Sequence, residues 1–244
     1  METITIHCSV CGHVGPTSRA EHRSTREAFR CEKCKCSLRY RDQASLILDE
    51  FAKGLATNLE DLAASGLLND VRIYEAAFAG PFKRRLQHLP HYASSYFFEE
   101  VTPGESKDGI RCEDLTQLTF ENDSFDLVIT SDIFEHVFNA KQAFKEIYRV
   151  LGHGGVHIFT IPIFLPIPQK SVDRAILENG KVKHLLEPVY HRAGDGSDCL
   201  VVTDWGQDLF TLLSEIGFKT RAVRRSNCFD QFLPSVTFLS QKIF

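Results

Sequence analysis

From Val71 onward the chain alternates short apolar runs with amphipathic segments of helical period, and this alternation constrains the fold more than any other feature of the sequence. Strands that alternate with helices pair in parallel, because each helix carries the chain back to begin the next strand at the same end of the sheet. The candidate strands are Val71 to Glu75, Ser94 to Phe98, Phe125 to Thr130 and Val156 to Ile161, followed by Phe218 to Val223 and Ser235 to Leu239. Between the third and fourth, Ala143, Phe144, Ile147, Tyr148 and Leu151 form one apolar helical face, with Lys141, Lys145 and Glu146 turned to water. Asn139 can cap the start of that helix, and Gly152, Gly154 and Gly155 can end it. A second helix runs from Asp204 through Leu209, Leu212, Leu213 and Ile216 to Gly217. Residues 163–203 interrupt the pattern with prolines, glycines and a cluster of His184, Tyr190 and His191, as a lid or substrate-binding insertion does.

The first 41 residues have a different character. They hold little aliphatic content and two paired cysteines, Cys8-x-x-Cys11 and Cys31-x-x-Cys34, with nineteen residues between the pairs. Such spacing suits two knuckles closing on a tetrahedral zinc ion, and four thiolates fill the coordination shell, so the metal would be structural. Cys36 and His13 stand close enough in sequence to compete as ligands. Cys112, Cys199 and Cys228 are scattered, and the expectation for them is buried thiols. Residues 42–70 would link the knuckle to the main body, with Leu46, Ile47, Phe51 and Leu55 at helical spacing.

The sequence has no apolar run of the roughly 18 residues that a membrane helix needs, and its start lacks the basic and apolar regions of an export signal. The expectation is a cytoplasmic protein without membrane contact. Charge is uneven: residues 1–41 carry eight Lys or Arg against four Glu, which leaves −8 for the remainder of a chain at −4 overall. A basic knuckle on an acidic body could meet an anionic partner, or could be a solvated surface.

The run Cys112 to Phe120, then Asp123-Ser124-Phe125-Asp126-Leu127-Val128-Ile129-Thr130-Ser131, resembles class I S-adenosylmethionine-dependent methyltransferases of the methyltransferase-11 type. The match continues through Phe134-Glu135-His136-Val137 and Ala143-Phe144-x-Glu146-Ile147-x-Arg149-Val150-Leu151 to Gly154-Gly155 and Phe159-Thr160-Ile161-Pro162. This resemblance implies an α/β fold over residues 71–244: a seven-stranded, mostly parallel, doubly wound sheet that binds S-adenosylmethionine at its carboxyl edge. The zinc-binding module, residues 1–41, would precede it. By the same resemblance Asp114 and Leu115 contact the adenine, while Ser131 and Asp132 lie beside the methionine part of the donor. The first motif reads Glu75-Ala76-Ala77-Phe78-Ala79-Gly80-Pro81 and departs from the family: after the acidic Glu75, Ala77 and Ala79 fill two of the spaced glycine slots and Pro81 the third, while the pairing of Glu75 with Gly80 still points to donor binding. Tyr96 occupies the slot of the ribose-binding acid, with Glu99 or Glu100 a few residues on.

Methyl transfer from a sulfonium asks mainly for alignment and removal of a proton. Histidine is the natural acceptor near neutral pH, which makes His191 and His136 the candidate catalytic residues, with His184 a third. Asp132-x-x-Glu135-His136 also resembles the acidic-acidic-histidine cluster with which some quinone O-methyltransferases hold a divalent ion. The expected activity is transfer to an oxygen or nitrogen of a small molecule, a metabolite or sugar, admitted under the lid. The alternatives are an RNA base methyltransferase that grips phosphate with residues 19–41, Arg23 and Arg26 among them, and a non-catalytic binding or assembly protein.

Overall fold

The computed structural model describes residues 3–18, 24–192, 196–224 and 235–243. Arg19, Arg23 and Cys228 lie outside these residues.

The N-terminal module opens with an antiparallel ribbon, β1 (Thr3–His7) and β2 (Val14–Ser18), whose connection is the first cysteine knuckle. A short 3₁₀ turn at Thr25–Glu27 leads to the second knuckle and into α1 (Leu38–Phe51), and α2 (Leu59–Ala64) follows, capped by the Asn58 side chain accepting from Asp61 N. The apolar period of α1 is as expected up to Phe51; Leu55 lies beyond the helix and is 73% exposed.

Next come β3 (Ile73–Glu75), α3 (Lys83–Leu86), β4 (Tyr92–Tyr96), β5 (Ser106–Lys107), β6 (Ile110–Cys112), β7 (Phe125–Ser131), α4 (Ala140–Val150) and β8 (Leu151–Thr160). Asn139 caps α4 by accepting from Gln142 N. The glycines expected to end α4 instead lie inside β8, because the backbone turns extended directly after Val150. Glu146 does not face water either: it accepts from Leu118 N and pairs with Arg149, tying α4 to the loop before β7.

The insertion is not structureless. It forms short antiparallel pieces: β9 (Val172–Asp173), β10 (Ala175–Glu178), β11 (Lys181–His184), β12 (Tyr190–Arg192), β13 (Asp198–Leu200) and β14 (Thr203–Asp204), paired as β9 with β14, β10 with β11 and β12 with β13. Then α5 (Asp208–Ile216) begins four residues later than its apolar period suggested, since Thr203 and Asp204 belong to β14. Gly217 ends it with φ +116, a left-handed position where a Cβ would sit 2.8 Å from the Tyr148 hydroxyl. Finally β15 (Phe218–Val223) and β16 (Thr237–Lys242) form a hairpin.

One sheet organises all of this, in the order β15-β16-β8-β7-β3-β4-β6-β5. The pairs among β6, β4, β3, β7 and β8 are parallel, whereas β16 lies antiparallel between β8 and β15 and the two-residue β5 edges β6. The sheet is therefore the expected mostly parallel, doubly wound one, with β5 as an additional short edge. Alternation along each strand feeds two cores. Ile73, Leu127, Ile129, Ile158 and Leu239 pack on one face against α1, α3 and the cysteine module. Tyr74, Val128, Phe159 and Phe238 pack on the other, against α4 and α5. Phe125 and Leu127 fall in different cores although two residues apart, because the β7–β8 register shifts between them. The knuckle cysteines Cys8, Cys11, Cys31 and Cys36 share a core with the sheet, so the module is packed on the body rather than tethered to it.

Candidate functional site

From β3 the chain winds outward to β4 and β6, then returns to β7 on the other side of β3. Beyond the carboxyl ends of β3 and β7 the connections part in opposite directions, which is where open α/β sheets form a ligand crevice. The topology brings the expected donor-site residues to this edge. Glu75 closes β3, Tyr96 closes β4, Ser131 closes β7, and Asp114 follows β6 by two residues.

Glu75 is 3% exposed and accepts a 2.6 Å hydrogen bond from the Tyr92 hydroxyl. Burial pushes its carboxyl up to about 7, and the Tyr92 hydroxyl and Lys83 offset this only in part. Gly80 adopts φ +156, and a Cβ there would stand 3.7 Å from Glu75 Oε1 with no closer neighbour, so the backbone passes beside the acid. Ala77 is half-buried in the same loop. Phe78 packs edge-on against Tyr96 with ring centroids 5.0 Å apart, and Tyr96 in turn against Phe98. Tyr96 thus stands between two aromatic neighbours at the end of β4. Asp114 Oδ1 accepts from both Thr116 N and Thr116 Oγ1, an Asx turn that holds this loop, and Leu115 is buried in the α4 core.

On the β7 side the N-terminal module closes over the sheet edge. Gln43, fully buried on α1, donates through Nε2 to Thr130 O and Ile158 O at 3.0 Å each, and its Oε1 accepts from Ser131 Oγ at 2.7 Å. Asp132 sits at φ +53, a strained position for a residue with a Cβ, and its N–H donates to Thr160 O. Arg26 grips its carboxylate with two hydrogen bonds of 2.7 Å, Thr160 Oγ1 donates to it, and Arg39 approaches to 3.1 Å. Burial opposes the charge, but Arg26 and Arg39 outweigh it and hold the Asp132 carboxyl well below the usual range. Gln43 and Arg39 escaped the sequence reading, which takes Arg26 only as a phosphate contact. A signal existed: Arg39 and Gln43 lie at i and i+4 with Leu46 and Ile47 at i+7 and i+8, two polar residues on the apolar stripe of α1.

The histidines form a second cluster. His136 follows β7 in a 3₁₀ turn at Phe134–His136, and His191 comes from the lid hairpin β12–β13. Their rings lie edge to face, 5.1 Å between centroids, and the Glu135 carboxylate stands 3.6 Å from a nitrogen of each. His184 lies on the exposed hairpin β10–β11. Asp132 takes no part in this cluster: its oxygens are committed to Arg26, Arg39 and Thr160.

In the module, two knuckles repeat one backbone design. Gly12 N donates to Cys8 O and Cys8 N to His13 O; likewise Lys35 N donates to Cys31 O and Cys31 N to Cys36 O. Gly12 and Lys35 occupy the equivalent left-handed positions, φ +70 and +61. The thiols of Cys8, Cys11, Cys31 and Cys34 lie within 4.8 Å of one another. Tetrahedral Zn–S bonds of about 2.3 Å imply sulfur separations of about 3.8 Å, close to the 3.6 Å of Cys8–Cys34 and 3.7 Å of Cys11–Cys31. Cys36 is only 3.1 Å from Cys34, too near for both to ligate one tetrahedral ion. Three arginines of this module turn inward, Arg26, Arg39 and Arg41, all 7% exposed or less, whereas Arg30 is exposed.

The sequence pattern of the methyltransferase domain family matches residues 93–159, from β4 through β8. No curated protein matches the chain. Among solved structures, an amino pentose methyltransferase from Micromonospora echinaspora is 13% identical, with 80% of this chain and 96% of that one covered and a TM-score of 0.47. An S-adenosylmethionine-dependent methyltransferase from Mesorhizobium loti is 16% identical, with 77% and 100% covered and a TM-score of 0.44. A sugar N-methyltransferase from a Streptoalloteichus species is 13% identical, with 82% and 92% covered and a TM-score of 0.46. Residues 93–159, which carry the sheet edge from Tyr96 to Asp132, are the part of the chain that matches the methyltransferase domain family.

Proposed function

We propose that the chain transfers a methyl group from S-adenosylmethionine to an oxygen or nitrogen of a small molecule admitted beneath the lid. The observation that carries this reading is the convergence of Glu75, Tyr96, Asp114 and Ser131 on one sheet edge at the switch point, the last three within the segment that matches the family. Asp114 and Leu115 would border the adenine, the Phe78–Tyr96 pair the ribose, and Ser131 the amino-acid end; Asp132, held by Arg26, would shape that end rather than contact the donor. When bound, the donor supplies an activated methyl carbon. The protein's share is to align the acceptor, exclude water and take up a proton, and the Glu135, His136 and His191 cluster stands beside the crevice for that last task.

A zinc ion held by Cys8, Cys11, Cys31 and Cys34 would complete the module as a structural element, consistent with the matched knuckles and sulfur spacing. The inward turn of Arg26, Arg39 and Arg41 removes three of the basic residues that an RNA-gripping surface would use. No helix among the described residues is long and apolar enough to cross a membrane.

Calorimetric titration with S-adenosylmethionine and its demethylated product, followed by transfer of labelled methyl into a fractionated metabolite extract, tests the reading. Heat with both ligands and label in a small-molecule fraction is expected. A crevice that takes neither ligand at millimolar concentration overturns it, and steeply salt-dependent labelling of RNA would favour the nucleic-acid alternative.

A further inference from the structure

We propose that Glu135, His136 and His191 form a second metal site, for a zinc-like divalent transition ion, at the mouth of the lid. Three ligand atoms converge there within 4.8 Å of one another. Glu135 Oε1 is 3.6 Å from His136 Nε2 and 3.6 Å from His191 Nδ1. An ion with bonds of about 2.0–2.2 Å in tetrahedral geometry sets its ligands about 3.3–3.6 Å apart, so these atoms stand at coordinating separation and slightly beyond direct hydrogen-bond range.

Two further observations ask for a cation. Both carboxylate oxygens of Glu135 are buried and lack a hydrogen-bond partner among the described residues, with the side chain 1% exposed. A buried, uncompensated carboxylate costs several kcal/mol, and the groups facing this one are the two imidazoles. His136 Nδ1, moreover, lies 2.8 Å from Leu200 O. A carbonyl only accepts, so Nδ1 carries the hydrogen, and in the neutral ring the lone pair of Nε2 faces Glu135. A backbone carbonyl that fixes the tautomer in this way is the usual support of a metal-ligating histidine.

The donor set selects the ion. Two imidazoles with one carboxylate suit zinc, cobalt or nickel, whereas magnesium and calcium prefer oxygen throughout. The divalent site suggested by Asp132-x-x-Glu135-His136 is thus replaced by another, with the lid supplying the third ligand. His191 is 40% exposed, so the fourth position opens toward solvent. Three protein ligands and an exchangeable fourth are the pattern of a working site rather than a structural one. Cys199 lies opposite His191 in the hairpin. The site stands independently of methyl transfer. Its use rests on that reading: with an ion bound, His136 and His191 would hold metal instead of taking up the proton, and the ion would acidify an acceptor hydroxyl so that its proton passes to water.

The test counts metal. The full-length chain, His191→Ala and Glu135→Gln are each saturated with Zn²⁺, passed through gel filtration and assayed for zinc per chain, and the same is done with Co²⁺ to record its visible spectrum. Each variant should hold about one ion fewer than the parent, with the intense thiolate bands of the knuckle retained and the weaker nitrogen–oxygen bands lost. His191 lies on an exposed hairpin, so its variant keeps the test valid should Glu135→Gln fail to fold. Equal metal content in the parent and His191→Ala overturns the proposal. Calorimetry with the demethylated donor, run on the same samples, separates the two readings: retained donor binding with equal metal content removes only this site. Loss of the extra ion in the variants with no donor binding in the parent removes only the methyltransferase reading.

Discussion

Replacing Glu75 by Gln should remove a burial cost that the fold carries at neutral and higher pH. Glu75 closes β3 in the interior, and its carboxyl rises from 4.5 to about 7 because burial disfavours the charged form more than the Tyr92 hydroxyl and Lys83 favour it. Below about pH 4.5 the folded and unfolded chains both hold the proton and the residue is neutral in its effect. Between there and about pH 7 only the folded chain holds it, so stability falls as pH rises; above that window the loss is complete. A rise of roughly 2.5 units at about 1.4 kcal/mol each gives about 3.5 kcal/mol in all, of which about 2.5 kcal/mol falls between roughly pH 5 and pH 8. Gln cannot ionise, yet its amide oxygen still accepts from Tyr92. The assay is urea unfolding of both proteins at those two pH values, read as the difference between them so that other titrating groups and the metal cancel. Glu75→Gln should gain about 2.5 kcal/mol on the parent as pH rises. Parallel pH profiles would refute the reasoning, because they would mean that this carboxyl is not desolvated at the end of β3.

Three other perturbations give outcomes of known direction. Arg26→Ala leaves Asp132 buried with Arg39 as its remaining charged partner, and should cost about 3–5 kcal/mol; the double variant Arg26→Ala, Asp132→Ala should recover part of this in a thermodynamic cycle measured by urea unfolding. Cys31→Ser removes one of the four grouped thiols and should abolish zinc retention by the module, read as metal per chain, together with a lowered midpoint of thermal unfolding. Phe144 stacks on Phe134 with centroids 3.8 Å apart in the α4 core, so Phe144→Ala should cost about 3–5 kcal/mol by the same unfolding assay.

The parts of the fold legible in the sequence are those where local pattern and tertiary packing agree. The face of α4 from Ala143 to Ile147 buries as its period requires, Asn139 caps it, and β7 runs along its apolar stretch. What escaped is short or non-local. Strand β6 has three residues, too few to show a period, and is defined by its partner β4. The lid hairpins are mostly exposed, so no buried alternation marked them. The cysteine cluster was legible because two Cys-x-x-Cys knuckles impose a spacing on the chain itself. The Glu135, His136 and His191 cluster was legible only in its first two members, since the third arrives from a hairpin some fifty-five positions on. Asp132 shows the limit best: its sequence neighbours suggested a metal ligand, but its partners Arg26 and Arg39 come from another module.

That module changes how the crevice must be understood. The segment matching the methyltransferase domain family supplies strands and loops, but the carbonyls of Thr130 and Ile158 and the hydroxyl of Ser131 are held together by one buried amide, Gln43, which belongs to α1. Helix α1 begins directly after the second knuckle, with Leu38 N bonded back to Ala28 O, so the cysteine cluster fixes where Gln43 and Arg39 stand. A buried amide with both ends engaged tolerates little displacement, because each lost partner leaves a desolvated polar group at a cost of about 1–3 kcal/mol. The knuckle therefore does more than add stability at a distance. Through α1 it sets the shape of the sheet edge between β7 and β8, and a chain that lost the order of its cysteine cluster would lose the shape of that edge with it.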